Sequence, residues 1–140
     1  MAEPVISPTR RLAVVGAALY GLRWALTALR TQRRLTPLAA AGDPAALASV
    51  TQRPEASLLG VPNSAYGVAY YLGLLTLGLS GALDTRWGRR LAAVAAVAAL
   101  ARSLWLLGAL ARSATWCAVC MRAHVTNAAL ALLLLPTERA

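Results

Sequence analysis

The chain holds two cysteines, Cys117 and Cys120, in the run Cys117-Ala118-Val119-Cys120, and a single histidine, His124, four residues further on. Asn127 follows three residues later. On a helix, a spacing of three puts two Cα atoms about 5 Å apart, within the range a disulfide accepts. Helical periodicity predicts that 117, 120, 124 and 127 share one face. Two thiols, an imidazole and an amide on one apolar face allow three chemistries. The cysteines can be small buried apolar side chains. They can join His124 in a metal site, although zinc would need a fourth ligand and the chain has no second histidine. Or they form a redox dithiol, favoured by the first turn of a helix, where free N–H groups and the dipole stabilise a thiolate.

The elements that must position this face are unusually apolar. Of 140 residues, 59% are hydrophobic and 14% charged, with a net charge of +9; the mean hydropathy is +0.58. That exceeds an ordinary soluble domain. All 14 basic residues are arginine. They cluster between apolar blocks rather than along polar helices, the pattern of membrane-flanking charge and not of a nucleic-acid surface. The abundance of Ala, Leu and Arg is attributed to codon bias.

Four blocks are long enough to span a bilayer: 12–29, 65–82, 91–110 and 117–135. The sequence therefore predicts an all-α, integral membrane four-helix bundle forming one domain over 1–140. Arg10 and Arg11 precede the first block, which is read as a retained span and not a cleaved signal. Arg23 lies inside it and is expected to snorkel; Arg102, near the middle of the third block, is expected to face the bundle or a polar ligand group. The long first loop, 30–63, is too polar to span. Within it, 44–59 is a candidate amphipathic helix with Leu47, Val50, Leu58 and Leu59 turned towards bilayer or bundle. Pro62 suits a helix start, with Asn63 or Ser64 as its cap. Tyr66, Tyr70 and Tyr71 sit near that end as interfacial aromatics do, and Gly67 and Gly73 allow close helix packing. Arg10, Arg11, Arg86, Arg89, Arg90 and Arg139 fall on one side and Arg30, Arg33, Arg34, Arg53 and Arg112 on the other; six against five does not orient the chain.

Two segments carry a family resemblance. Gly60-Val61-Pro62-Asn63-Ser64-Ala65-Tyr66-Gly67, leading into Val68-Ala69-Tyr70-Tyr71, resembles the start of the second span in the vitamin K epoxide reductase family. Cys117-Ala118-Val119-Cys120 with Asn127 resembles that family's fourth-span C-x-x-C. The resemblance covers roughly residues 10–135. It implies a quinone-dependent thiol–disulfide oxidoreductase in a prokaryotic inner membrane, with both termini cytoplasmic and the Cys117 end on the periplasmic or extracellular side. Carried over, Cys117 and Cys120 are catalytic: Cys120 faces the ring of a menaquinone or ubiquinone, and Cys117 exchanges disulfides with an incoming thiol. Asn63, His124 and Tyr66 are the implied cofactor-binding residues, His124 standing where the family often has tyrosine. Partners are lipid, quinone and a thioredoxin-like protein. The chain departs from the family in its first loop, where the usual second cysteine pair is replaced by residues such as Ala40, Ala41, Ala48 and Ser49. The alternative is a non-catalytic or sensory protein that keeps the quinone or lipid pocket without the relay.

Overall fold

Ser7 and Pro8 begin the first helix. The Ser7 Oγ accepts the Arg10 backbone N–H at 3.2 Å and Pro8 supplies a preset φ at a position that needs no N–H. The computed structural model describes residues 5–33, 44–114 and 116–135, with backbone alone for 44–47. Ala40, Ala41 and the tail beyond 135 lie outside the described residues.

The chain is mostly helical. α1 (Pro8–Gln32), α3 (Asn63–Leu79), α4 (Arg86–Ser113) and α5 (Ala118–Leu134) are the long elements, and α2 (Pro44–Thr51) is a short helix in the first loop. α1 and α4, of 25 and 28 residues, are long and apolar enough to cross a membrane. α3 and α5 have 17 residues each, about 25 Å at 1.5 Å per residue. α1 and α4 run a few residues beyond their expected blocks at both ends, α3 is shifted towards the N-terminus, and α5 falls one residue short of 117–135 at each end. α3 stops at Leu79, not 82, because Gly81 takes a left-handed φ of 77° and turns the chain into a short 3-10 stretch. α4 begins at Arg86, capped by the Thr85 hydroxyl, which accepts the Gly88 N–H at 3.1 Å.

The expected helix over 44–59 is only half formed. α2 ends at Thr51 because Pro54 forces Arg53 into extended backbone and opens a 3-10 turn, Pro54–Ala56. A two-residue hairpin follows, β1 (Ser57–Leu58) against β2 (Val61–Pro62), closed by Leu59 and Gly60, both at positive φ. Leu59 is 90% exposed at the hairpin tip. Val50 packs inwards on Trp24 and Cys117; the Leu47 side chain is outside the description.

α1 is the central element, packed on α3 along one side and α5 along the other, while α4 packs mainly on α5. Val14, Ala18, Tyr71, Leu74, Leu83 and Leu130 form the core. The tight glycine contacts are not the expected pair. A side chain at Gly21 would run into the Tyr71 ring, and one at Gly78 into Val15. Gly67 does face Ala25, but Gly73 meets nothing.

One end of the helix array is tied together. Arg10 donates to the carbonyls of Leu133 and Leu135 at the end of α5, filling acceptors that a helix C-terminus leaves open. Arg11 pairs with Asp84 in the α3–α4 turn at 3.0 Å. The outward faces are apolar: Leu12, Leu19, Leu72, Leu91, Val94 and Leu132 are all exposed. Only 17% of the apolar stretch of α4 is buried, whereas the core helix of a soluble protein would be mostly covered.

Candidate functional site

Cys117 stands just before α5, in extended backbone, and acts as its N-cap: its Sγ accepts the Cys120 N–H at 3.3 Å. The two sulfurs are joined in a disulfide with Cα atoms 5.3 Å apart. The expectation that 117, 120, 124 and 127 share a helical face is therefore corrected at its first member. Cys117 precedes the helix, so 3.6-residue periodicity does not apply to it. Cys120, His124 and Asn127 line a cavity of about 510 Å³, and Cys117 does not. Cys117 is 2% exposed and borders a second, smaller cavity with Leu107, Trp116 and Met121. The two cysteines thus border different spaces.

The larger cavity is bounded by all four long helices and by the first loop. Alanines recur along its wall: Ala25 and Ala28 from α1, Ala95, Ala98 and Ala99 from α4, Ala123 from α5. The α4 residues repeat at helical spacing and continue through Arg102, Leu106 and Ala109. Small side chains on one face leave the space that larger ones would fill.

Polar groups reach this wall at defined places. Both ends of the Asn127 amide are engaged: its Oδ1 accepts from the Tyr71 hydroxyl at 2.7 Å and its Nδ2 donates to the Ser103 Oγ at 2.7 Å. This chain joins α3, α5 and α4. Asn63 opens α3 without capping it. Instead its Oδ1 accepts from Arg102 Nε at 3.1 Å. Arginine can only donate, so the amide oxygen must face Arg102 and the NH₂ is left as the group Asn63 can offer to the cavity. Arg102 also donates to the Glu55 carbonyl at 2.8 Å and lies over the Trp105 ring at 4.4 Å. It faces the bundle, clamping loop and α3 to α4. Tyr66 lines the cavity and donates its hydroxyl to the Leu58 carbonyl at 3.1 Å, holding the hairpin.

Gln32 is a site-lining residue that sequence reasoning missed. Its Nε2 donates to the Ala56 carbonyl, its Oε1 accepts from Ser64 at 2.6 Å, and its backbone carbonyl accepts from Gln52. A polar residue ending an apolar block was the available signal. Trp24 was missed as well. Among the described residues three buried side-chain polar atoms have no partner, Trp24 Nε1, Tyr70 Oη and His124 Nδ1, and the residues that carry them line the large cavity. Leaving a buried polar group unpaired costs about 1–3 kcal/mol, and three in one cavity mark a place for a ligand with hydrogen-bonding groups. Among the described residues no group of three metal-ligating side chains gathers.

Fold and site define a helical protein built around a disulfide and a mostly apolar cavity with a few unsatisfied polar groups. A model of the Vitamin K epoxide reductase family matches residues 12–135, and the chain belongs to that family. Among curated proteins nothing matches it significantly. Family membership suggests an oxidoreductase with a redox function in a membrane, in a family that uses quinone-type substrates.

Proposed function

We propose that the protein is a membrane thiol–disulfide oxidoreductase of four spanning helices, which passes two electrons from a dithiol through Cys117 and Cys120 to a membrane quinone. The observation that carries the reading is the placement of Cys120 on a cavity of about 510 Å³ where three buried polar atoms lack partners. That volume lies within the range of small-molecule sites. A quinone fits such a wall: an apolar ring and tail against alanines, with two oxygens needing donors.

A substrate thiolate attacks the Cys117 Sγ; the Cys117–Cys120 bond breaks and the mixed disulfide forms, with Cys120 as the departing thiolate. The second substrate thiolate attacks the other substrate sulfur, the one bonded to Cys117; that bond breaks, the substrate disulfide forms, and Cys117 leaves as a thiolate that takes up a proton. The substrate has lost two electrons and two protons, and the cysteine pair has gained them. When bound, a quinone accepts both electrons and both protons and leaves as hydroquinone, restoring the disulfide. Trp24 Nε1 and the Asn63 NH₂ are fixed donors that orient its oxygens. His124 Nδ1 and the Tyr70 hydroxyl are groups that can hold or pass a proton. Tyr66 forms part of the wall, its hydroxyl committed to Leu58. The apolar, exposed outer faces support insertion in a membrane, and we take that membrane to be a prokaryotic inner one. In that membrane the tied end, with Arg11 and Asp84, is cytoplasmic, and the Cys117 end faces the oxidising side.

The reading is tested in detergent by dithiol-dependent quinone reduction, with wild type and with both cysteines replaced. Turnover lost in the double variant supports it; equal rates remove it. A second reading is favoured by the sequence: with only two cysteines in the chain, no intramolecular relay exists, and the cavity then serves binding or sensing. Quinone binding without turnover by any dithiol would establish that alternative.

A further inference from the structure

Two arginines lie within the expected spans and outside the site. Arg23 is on α1 and Arg122 in the second turn of α5, and both are exposed. Each lies over the same indole, their guanidinium carbons 5.1 and 4.4 Å from the Trp24 ring centroid. The two like charges are thus within about 10 Å of each other and repel. Neither guanidinium makes a hydrogen bond or ion pair with any described residue, although both backbone carbonyls accept from threonines one turn on, and Asp84 is taken by Arg11 at the tied end. Around them the seam is apolar and open: Leu19, Leu26 and Val125 are exposed. Cation–π contact with one ring holds the pair in place but does not neutralise it.

We propose that Arg23 and Arg122 form a binding site for the phosphate headgroup of an anionic lipid at the seam between α1 and α5, in the leaflet on the Cys117 side. The depth suits a headgroup. Arg122 is four residues into α5, about 6 Å below its start, and Arg23 is seven residues before Arg30, about 10 Å. Both reach the interface by snorkelling. A guanidinium pair matches a phosphate with two-pronged donors, and a lipid carries that phosphate on a tail that covers the exposed leucines. Trp24 is the shared floor: its outer surroundings hold the arginines, its Nε1 faces no protein partner, and the residue lines the large cavity beside Cys120. The headgroup therefore steadies a wall of the redox site from outside. Tyr20, edge-on to Trp24 at 5.9 Å, fixes the ring from the preceding turn.

This proposal rests on the membrane reading above, and the experiment separates the two. The full chain is placed in vesicles of phosphatidylcholine with or without phosphatidylglycerol, extracted gently, and its bound lipid measured by native mass spectrometry. Wild type should retain phosphatidylglycerol in preference to phosphatidylcholine. Arg23→Gln with Arg122→Gln should lose about thirtyfold of that preference, the size expected for two basic residues near a membrane surface. Arg23→Lys with Arg122→Lys, which keeps the charge and guards against a misfolded variant, should retain most of it. Equal retention by wild type and the Gln pair overturns the site. Displacement of the lipid by inorganic phosphate would show a free-phosphate site and overturn the lipid assignment. Failure of the chain to enter vesicles at all would overturn the membrane reading; entry without lipid preference would leave that reading standing and this one refuted.

Discussion

At the scale of single residues the two cysteines are unequal. Cys117 is buried, caps α5 and borders the small cavity, whereas Cys120 borders the large one. Replacing Cys120 with Ser should leave Cys117 without a resolving neighbour, so that a mixed disulfide with the reductant accumulates and is seen on non-reducing gels. The reverse variant, Cys117→Ser, should accumulate none. Because no loop pair intervenes, a small dithiol should reduce the disulfide as readily as a thioredoxin-like protein, measured by thiol titration over time. Asn63 has two jobs, and substitution can part them. Asn63→Ala removes both the acceptor for Arg102 and the free NH₂; it should slow quinone reduction about tenfold to a thousandfold and leave thiol exchange intact. Asn63→Asp keeps the acceptor for Arg102 and loses only the donor. If the donor is what counts, stopped-flow rates for Asp and Ala will agree; recovery in Asp would assign Asn63 to holding Arg102. His124→Tyr should be milder than His124→Ala, because tyrosine restores a hydrogen-bonding group.

At the scale of elements the packing rests on contacts that sequence periodicity could not rank. Gly21 accepts the face of Tyr71, so Gly21→Ala should force α1 and α3 apart and lower stability by about 1–3 kcal/mol, read as a fall in the detergent melting temperature. Gly73→Ala, with open space around it, should be close to neutral. Ala99→Leu should instead fill part of the large cavity and impair quinone binding with little loss of stability. Much of this was legible beforehand. Hydropathy alone located four apolar blocks, and the residues Cys120, His124, Asn63 and Tyr66, drawn from two separate segments by family likeness, border one cavity. Other parts were not legible. Cys117 was misplaced because a helix start cannot be fixed to one residue by periodicity. The alanines of α4 were dismissed as composition, although their spacing carves the wall. Arg122 passed unnoticed inside an apolar run. Trp24 and Gln32 matter through partners far away in sequence, and no local pattern records those.

At the scale of the whole molecule, orientation is the open quantity that one measurement decides. The Arg11–Asp84 pair and the Arg10 contacts gather the start of α1, the α3–α4 turn and the end of α5 at one end. Cys117 lies at the other end, with the first loop. Reporter fusions in the turn 84–90 should therefore report cytoplasm, and a label at the exposed Trp116 position should be reached from outside. An external signal from 84–90 would invert the protein and leave the disulfide in a reducing compartment, where it could not persist.

The clasp between Arg10 and the last carbonyls of α5 also has a meaning in time. It joins groups 123 and 125 residues apart, so it can form only once α5 has been made. During synthesis α1 and α3 are ready to meet well before α5 exists, and the C-x-x-C arrives with α5. The redox pair therefore arrives after α1 and α3 are ready to meet, and the element that seats the cysteines, α5, is also the one that Arg10 clasps to α1. Until synthesis has passed residue 117, the stretch from α1 to α4 carries no thiol.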